Sequence, residues 1–228
     1  MMELLSPAGS RAALEAAVQS GADAVYMGFG AFNARRNAKN FTDEEFADAV
    51  AYCHLRGVRV FLTLNTLLTD RELPQWLHSL DAVAAAGVDG VLVQDLGLAK
   101  IIRQRYPTLP LHASTQMTIH NLAGARLLEE MGFAQVVLAR ELPLAEIEEL
   151  CRRIPRELEV EVFVHGAMCM SVSGRCLLSQ YLTGRDANRG ACTQPCRWKY
   201  ALMEEKRPGQ YYPVEEDGHY SYILNAKD

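Results

Sequence analysis

The sequence predicts an α/β chain folded as a TIM-like (β/α)8 barrel, incomplete within these 228 residues. Three observations lead there. Short apolar runs rich in β-branched residues recur seven times, with a helical pattern between each pair. Most of those helical patterns end at a glycine directly before the next strand: Gly21, Gly57, Gly87 and Gly132. No glycine-rich phosphate loop follows the first strand. SPAGS carries one glycine, so the dinucleotide fingerprint of an open doubly wound sheet is missing.

The seven strands are read at MELL (2–5), ADAVYMG (22–28), VRVFLTLN (58–65), DGVLVQD (89–95), PLHASTQ (110–116), AQVVLARE (134–141) and EVEVFVHG (159–166). Between the second and third, FTDEEFADAV opens with a capping box, Thr42 to Glu45, and carries an apolar face of Phe46, Ala49, Val50 and Cys53. ELPLAEIEEL starts a helix near Pro143, a favourable first-turn residue. A complete barrel needs an eighth strand, which is expected beyond residue 228. Residues 1–166 are thus the barrel core. Residues 167–200 form a Cys-rich insertion of the same domain, with weak periodicity. Residues 201–228 form a β-hairpin and the start of a downstream segment. RWKYALMEE, which begins at Arg197, and HYSYIL are the strands and KRPGQYYPVEEDG is the turn.

Composition narrows the function classes. About half of the residues are apolar, yet no apolar run is long enough to span a bilayer, so no membrane partner is expected. The opening MMELLSPAGSRAALEAA lacks a basic region followed by an apolar one, so it is not a signal peptide and a cytoplasmic location is expected. The formal charge of −5 argues against a broadly basic nucleic-acid coat but leaves room for a local basic patch. The oligomeric state is left open.

Six cysteines divide into two groups. Cys53 and Cys151 fall on apolar helix faces, Cys151 with Leu144, Ile147 and Leu150, and are expected to be buried inert thiols. Cys169, Cys176, Cys192 and Cys196 crowd into the irregular segment at spacings C-x6-C-x15-C-x3-C. In a reducing compartment such a group ligates or catalyses more often than it pairs. Thiolates are soft ligands for zinc or an iron–sulfur cluster, and the spacing does not choose between them. The alternative is four unligated loop thiols. His165 and Cys169, four residues apart, are a candidate base and nucleophile; a hydrogen-bonded structural histidine is the other reading. Loops that follow barrel strands sit on the C-terminal face, where active sites occur, so the cysteine segment lies where chemistry is expected.

Several stretches resemble the collagenase-like peptidase family U-32. They are ELLSPAGS, GADAVYMG, the ASTQ strand, VVLARELPLAEI and above all EVFVHGAMCMSVSGRCLLSQYLTGRDANRGACTQPCRWKY. The resemblance runs from residue 3 to the end, where LNAKD resembles a family motif that continues into more chain. It implies a family named for proteolysis whose better-explained members are oxygen-independent or prephenate-dependent hydroxylases. These act on a tRNA wobble uridine, a ribosomal RNA cytidine or a ubiquinone precursor, several with a [4Fe–4S] cluster on four cysteines. Cys169, Cys176 and Cys192 carry over as cluster ligands. The fourth is Cys196 or a cysteine further downstream. ACTQPCRWKY looks most like the tRNA uridine hydroxylase branch, which implies 5-hydroxyuridine as the product.

On that reading the small-molecule pocket lies at the C-terminal strand ends. Its candidates are Asn33 and Arg35 after the second strand, Asn65, Gln94 and Asp95, Ser114 and Gln116, Arg140 and Glu141, and His165 as the catalytic group. A small anionic co-substrate such as prephenate would take arginine forks, for which Arg35, Arg140 and Arg175 are available. Tyr181, Arg185, Arg189, Arg197, Trp198 and Lys199 interleave aromatic and basic side chains, a composition that stacks bases and neutralises phosphates of tRNA or another RNA. Arg36 and Lys39 would share the face. The bland readings are solvated loop charges and loop-closing hydrogen bonds. Two other functions compete. A peptidase lacks both H-E-x-x-H and G-x-S-x-G here. A non-enzymatic scaffold would use the cysteines as a structural zinc knot.

Overall fold

The computed structural model describes residues 2–29, 41–166, 169–172, 174–203, 205–217 and 220–226. Its chain divides into two units, Met1–Thr193 and Gln194–Asp228. In the first unit seven parallel strands pair in chain order. They are β1 (Leu5–Pro7), β2 (Ala24–Gly28), β3 (Arg59–Leu64), β4 (Gly90–Val93), β5 (Leu111–Ala113), β6 (Gln135–Val137) and β7 (Glu159–Glu161). Helices α1 (Arg11–Gln19), α2 (Asp43–His54), α3 (Leu73–Ala85), α4 (Leu96–Arg105), α5 (Leu122–Glu130) and α6 (Leu144–Arg153) each follow the strand of the same number. This is the predicted TIM-like barrel, incomplete, with β1 and β7 at its edges.

Local chemistry sets the helix ends. The Thr42 hydroxyl accepts from the Glu45 amide while the Glu45 carboxylate accepts from the Thr42 amide, so the expected box forms. Asp95 caps α4 through the amides of Gly97 and Leu98, and Asn121 caps α5. Gly21, Gly57, Gly87 and Gly132 all hold positive φ where helices α1, α2, α3 and α5 stop. A side chain there would be strained, and glycine is not.

Strand alternation separates two layers. The outward set, including Val25, Met27, Val60, Leu62, Val91, Val93 and Val136, packs against helix residues such as Leu14, Phe46, Trp76 and Leu80. The inward set includes Ala24, Phe61, Leu92 and Val137, joined by Leu5 and Tyr26. His112 also points inward: its ring lies 4.6 Å from that of Phe61, and a Cβ on Gly90 would meet its Nε2 at 3.0 Å.

The structure departs from the sequence reading in several places. The first strand is Leu5–Pro7 rather than 2–5, because its ladder to β2 begins at Leu5. The seventh ends at Glu161 rather than at 166; Val162, Phe163 and Val164 are exposed, and pairing with β6 stops at the Val137–Glu161 step. The fifth ends at Ala113 and passes into a 3-10 turn at Thr115–Met117 that Ser114 caps. The Cys-rich insertion contains a short helix, α7 (Leu178–Thr183), ended by Gly184 in the left-handed region. Cys53 is buried and its thiol pushed up to about 11 by burial, as expected, but Cys151 is exposed. Leu144 on the same helix is exposed too, so the buried stripe of α6 runs through Leu150 and does not reach Cys151.

The second unit is a three-stranded antiparallel sheet, not a hairpin. Its order is β10 (Tyr220–Ala226), β9 (Tyr211–Asp217), β8 (Ala201–Met203). The stretch read as one long turn is mostly β9. The turn is complete by Gly209, which holds φ +88°, and the tyrosine pair 211–212 with Val214 then favours extended backbone.

Burial in the inner layer makes one pH effect testable. It drives the His112 imidazole down to about 4, with a smaller contribution from Arg59. A depressed value favours the neutral ring, so this stability is full above the unfolded value near 6.5 and is lost as pH falls toward 4. Over that window the protein should lose about 3 kcal/mol more than a His112→Gln variant in urea unfolding. Equal losses in the two proteins would refute the assignment.

Candidate functional site

Ladder registers bring polar side chains into one inward row at the C-terminal end of the sheet. Leu64 pairs with Val93, Val93 with Ala113, Ala113 with Val136, and Val137 with Glu161. One residue further along β3, β4 and β5, the row reads Asn65, Gln94, Ser114, then Val137 and Glu161. Asn65 Nδ2 donates to Ser114 Oγ at 3.4 Å, although β4 lies between their strands, so these side chains converge inside. Gln94, Ser114 and Gln116 are buried, and Gln116 Oε1 has no hydrogen-bond partner among the described residues. Such an orphaned acceptor is costly unless a ligand or water meets it.

The Cys-rich insertion is tied to this row. Asn188 is buried; its Nδ2 donates to Gln94 Oε1 at 3.0 Å and its Oδ1 accepts from the Leu67 amide at 3.0 Å. Arg189 makes a two-point pair with Glu72 at 2.5 and 2.8 Å. Two Thr69 groups also donate to Glu72, and with Arg189 first they hold its carboxyl well below the usual carboxylate range. Gly174 holds φ +71°, where any other residue is strained, and a Cβ there would stand 2.7 Å from Gln116 Nε2 and push that side chain aside. Ser179 on α7 accepts from the Thr193 amide at 3.0 Å, fixing the chain beside Cys192.

The predicted ligands sit as follows. Cys169, Cys192 and Cys196 are exposed, Cys176 is half-buried, and none is in a disulfide. Cys196 belongs to the second unit. The donor set, four thiols, suits a thiophilic metal or cluster. Among the described residues, no three His, Cys, Asp or Glu side chains stand together as a metal site.

Other candidates are spread out. Asn33 and Arg35, with Arg36 and Lys39, lie outside the described residues. Asp95 is occupied as a helix cap, and Ser114 caps the 3-10 turn. Arg140 is half-buried with its guanidinium 5.8 Å from the Phe163 ring, while Glu141 is exposed and 4.0 Å from His120. His165 and Cys169 are both exposed, four and eight residues beyond the end of β7, with no hydrogen bond between them. Arg175, Tyr181 and Arg185 are exposed. So, in the second unit, are Arg197, Trp198 and Lys199. Arg189 is committed to Glu72. The sequence reading missed Asn188, Glu72 and Glu161. Only Glu161 carried a local signal: acids at the first and third positions of EVEVFV, on the opposite parity to its valines.

Comparison with known proteins adds to this geometry. The model of peptidase family U32 matches residues 9–228. The chain is 34% identical to tRNA hydroxylation protein P of Escherichia coli, over 99% of its own length and 58% of that protein's. It is 42% identical to the E. coli 23S rRNA 5-hydroxycytidine C2501 synthase, over 100% of its own length and 33% of that protein's. The chain thus spans less than two thirds of either relative. Among solved structures, the U32 peptidase Mk0906 aligns with a TM-score of 0.59 at 20% identity, covering 70% of this chain and 68% of that one, a likeness of fold.

The Asn188–Arg189 attachment is expected to control how the insertion opens. Glu72→Gln or Asn188→Ala should speed tryptic cleavage after exposed Arg185 several-fold. Glu72→Gln breaks a partly exposed ion pair and should change global stability by about 1 kcal/mol or less, whereas Asn188→Ala leaves the buried Gln94 amide unsatisfied and should cost about 1–3 kcal/mol. The double exchange Glu72→Arg with Arg189→Glu should slow cleavage again. Unchanged cleavage in all three would show that the insertion is held by something else.

Proposed function

The chain belongs to peptidase family U32, and on that premise we propose that it is the barrel part of an RNA-modifying hydroxylase, one that forms 5-hydroxyuridine in tRNA. The observation that carries this reading is the 34% identity to tRNA hydroxylation protein P across nearly the whole chain. The 42% identity to a synthase of 5-hydroxycytidine supports the same class, a pyrimidine hydroxylated in RNA. The inner row, with the 3-10 turn that follows β5, suits such a substrate. Asn65, Gln94 and Gln116 offer amide donors and acceptors to the edge of a flipped base, as a neutral heterocycle requires.

The proposal includes a [4Fe–4S] cluster held by Cys169, Cys176 and Cys192, with the fourth ligand either Cys196 or another cysteine. Its support is the chemistry of the donor set and the attachment of the insertion beside the row. When bound, such a group would supply electrons or an open iron site. A small anionic co-substrate such as prephenate would be drawn by Arg140 and Arg175, and RNA phosphates by exposed Arg185 with Tyr181 as a stacking surface. Arg189 acts as an anchor, since Glu72 neutralises it. A cytoplasmic location is part of the proposal, supported by relatives named for tRNA and 23S rRNA. Separately, among the described residues no helix is long and apolar enough to cross a membrane. A peptidase reading on His165 and Cys169 has less support, because a base must reach its nucleophile and here the two make no hydrogen bond.

The test is anaerobic purification of the protein expressed from its own gene, followed by visible absorption and assays of iron, sulfide and zinc. Nucleosides of tRNA are compared between the parent and a deletion strain. Brown absorbance with iron and sulfide, lost in Cys169→Ala and Cys176→Ala, together with loss of 5-hydroxyuridine on deletion, is the expected result. Stoichiometric zinc without sulfide would replace the cluster by a structural knot. Unchanged RNA nucleosides on deletion would overturn the hydroxylase.

A further inference from the structure

Glu161 ends β7 on the inner face of the sheet, in the row of Asn65, Gln94 and Ser114. Its Oε2 accepts from Gln135 Nε2 at 2.6 Å, and Gln135, on the neighbouring strand β6, is itself buried. A carboxylate turned into a barrel interior is costly unless an opposite charge meets it. Here the partner is a neutral amide. Burial therefore raises the Glu161 carboxyl to about 7, with Gln135 pulling the other way. On β6 the inward side chains are Gln135 and Val137, both uncharged. On β5 the inward titratable group is His112, and on β3 it is Arg59, which acts on His112. Glu159, on the same strand, is exposed. The acid thus stands among groups that leave it able to gain and lose a proton near neutrality, at the end of the barrel where ligands bind.

Hydroxylation at pyrimidine C5 supplies a proton to move. We propose that Glu161, positioned by Gln135, is the catalytic acid–base of this barrel and carries the proton that leaves C5 of the pyrimidine. This rests on the RNA-hydroxylase reading above. A hydroxyl-donating co-substrate is the oxidant. Its bond to the hydroxyl oxygen breaks with the electron pair left on the donor, and the ring's C5–C6 π pair forms the new C5–O bond. The C5–H bond then breaks, its pair restoring the double bond and its proton passing to a Glu161 oxygen. The same proton is handed to the donor atom that kept the electron pair. The ring loses two electrons, the donor gains two, and Glu161 returns to its starting state. A group that must act first as base and then as acid works best when its own affinity for protons lies near the working pH.

The experiment measures 5-hydroxypyrimidine formation against pH for the metal-loaded protein expressed from its own gene, acting on RNA from the deletion strain. Glu161→Gln keeps the size and the hydrogen bonding but cannot titrate. It should lower the rate about 100-fold or more at pH 7, with melting temperature and iron content retained. Gln135→Leu removes a hydrogen bond that favours the ionised carboxylate. It should therefore raise the Glu161 value and move the acid limb of the profile to higher pH, which a merely structural contact would not do. Glu161→Gln at a rate within about threefold of wild type, with the wild-type pH profile, would overturn the assignment while leaving the hydroxylase standing. If Glu161→Gln does not fold, the Gln135→Leu profile decides, and an unmoved limb overturns the assignment. A wild-type protein that makes no hydroxylated nucleoside overturns the RNA-hydroxylase reading itself, and this inference with it.

Discussion

Side-chain alternation along seven parallel strands is the constraint on which the rest of the structure depends. A parallel sheet is covered on both faces, so each strand must divide its residues between the helix layer and the interior. Here the helix-facing set is almost wholly aliphatic, and it alone carries most of the buried core. The inward set is freer. Ala24, Phe61, Leu92 and Val137 fill it, but Thr63, His112, Gln135 and Glu161 share it. Because registers are fixed by the outward core, the inward residues cannot slip. A shift of one residue would expose the valines and leucines of a whole strand. The polar row at the C-terminal end is thus held in place by an apolar layer on the opposite face.

The cysteine segment has no comparable core. Residues 174–193 bury Ser179 and Asn188 but no large apolar side chain, so polar bonds to the barrel must set their position. The two attachments differ in kind. The Asn188–Gln94 bond is buried and neutral, so breaking one side leaves an unsatisfied amide in the interior. The Arg189–Glu72 pair is half-buried on the rim, where water screens it, and it contributes orientation more than stability. Gln94 belongs both to the inner row and to the attachment, so any ligand that draws on its amide also acts on the segment that carries Cys192.

The fold was legible in the residues because its signals are local. Glycine after a helix, a threonine three residues before a glutamate, and valines at every second position each report on backbone within a few residues. The helix ends and outward faces therefore followed. The attachment was not legible, since Arg189 and Glu72 are 117 residues apart and neither sits in a distinctive pattern. Arg189 read instead as one more cation in a basic, aromatic stretch. Cys151 failed for a related reason. Its helix stripe looked apolar, but whether a stripe is buried depends on what covers it, and α6 is covered only around Leu150 and Ile147. In the second unit Pro213 and the acidic residues 215–217 gave β9 the composition of a turn, and backbone pairing with β8 and β10 outweighed it.

For a chain with 23 basic and 28 acidic side chains, binding a polyanion depends on which cations remain available. Many do not. Arg11 is paired with Glu15 and Asp48, Arg105 with Asp81, Arg152 with Glu148 and Glu149, and Arg189 with Glu72. In the first unit, Arg175 and Arg185 in the cysteine segment are exposed, near the end of the barrel that carries the polar row. In the proposed function this divides the labour. Phosphate contacts on the segment give attraction without discrimination, and the neutral inner row discriminates without attraction. The base itself is uncharged, so a row of amides and a hydroxyl can read it with no ion to desolvate. A carboxyl that burial raises above the usual carboxylate range fits the same row, because it adds less negative charge for the approaching RNA to overcome.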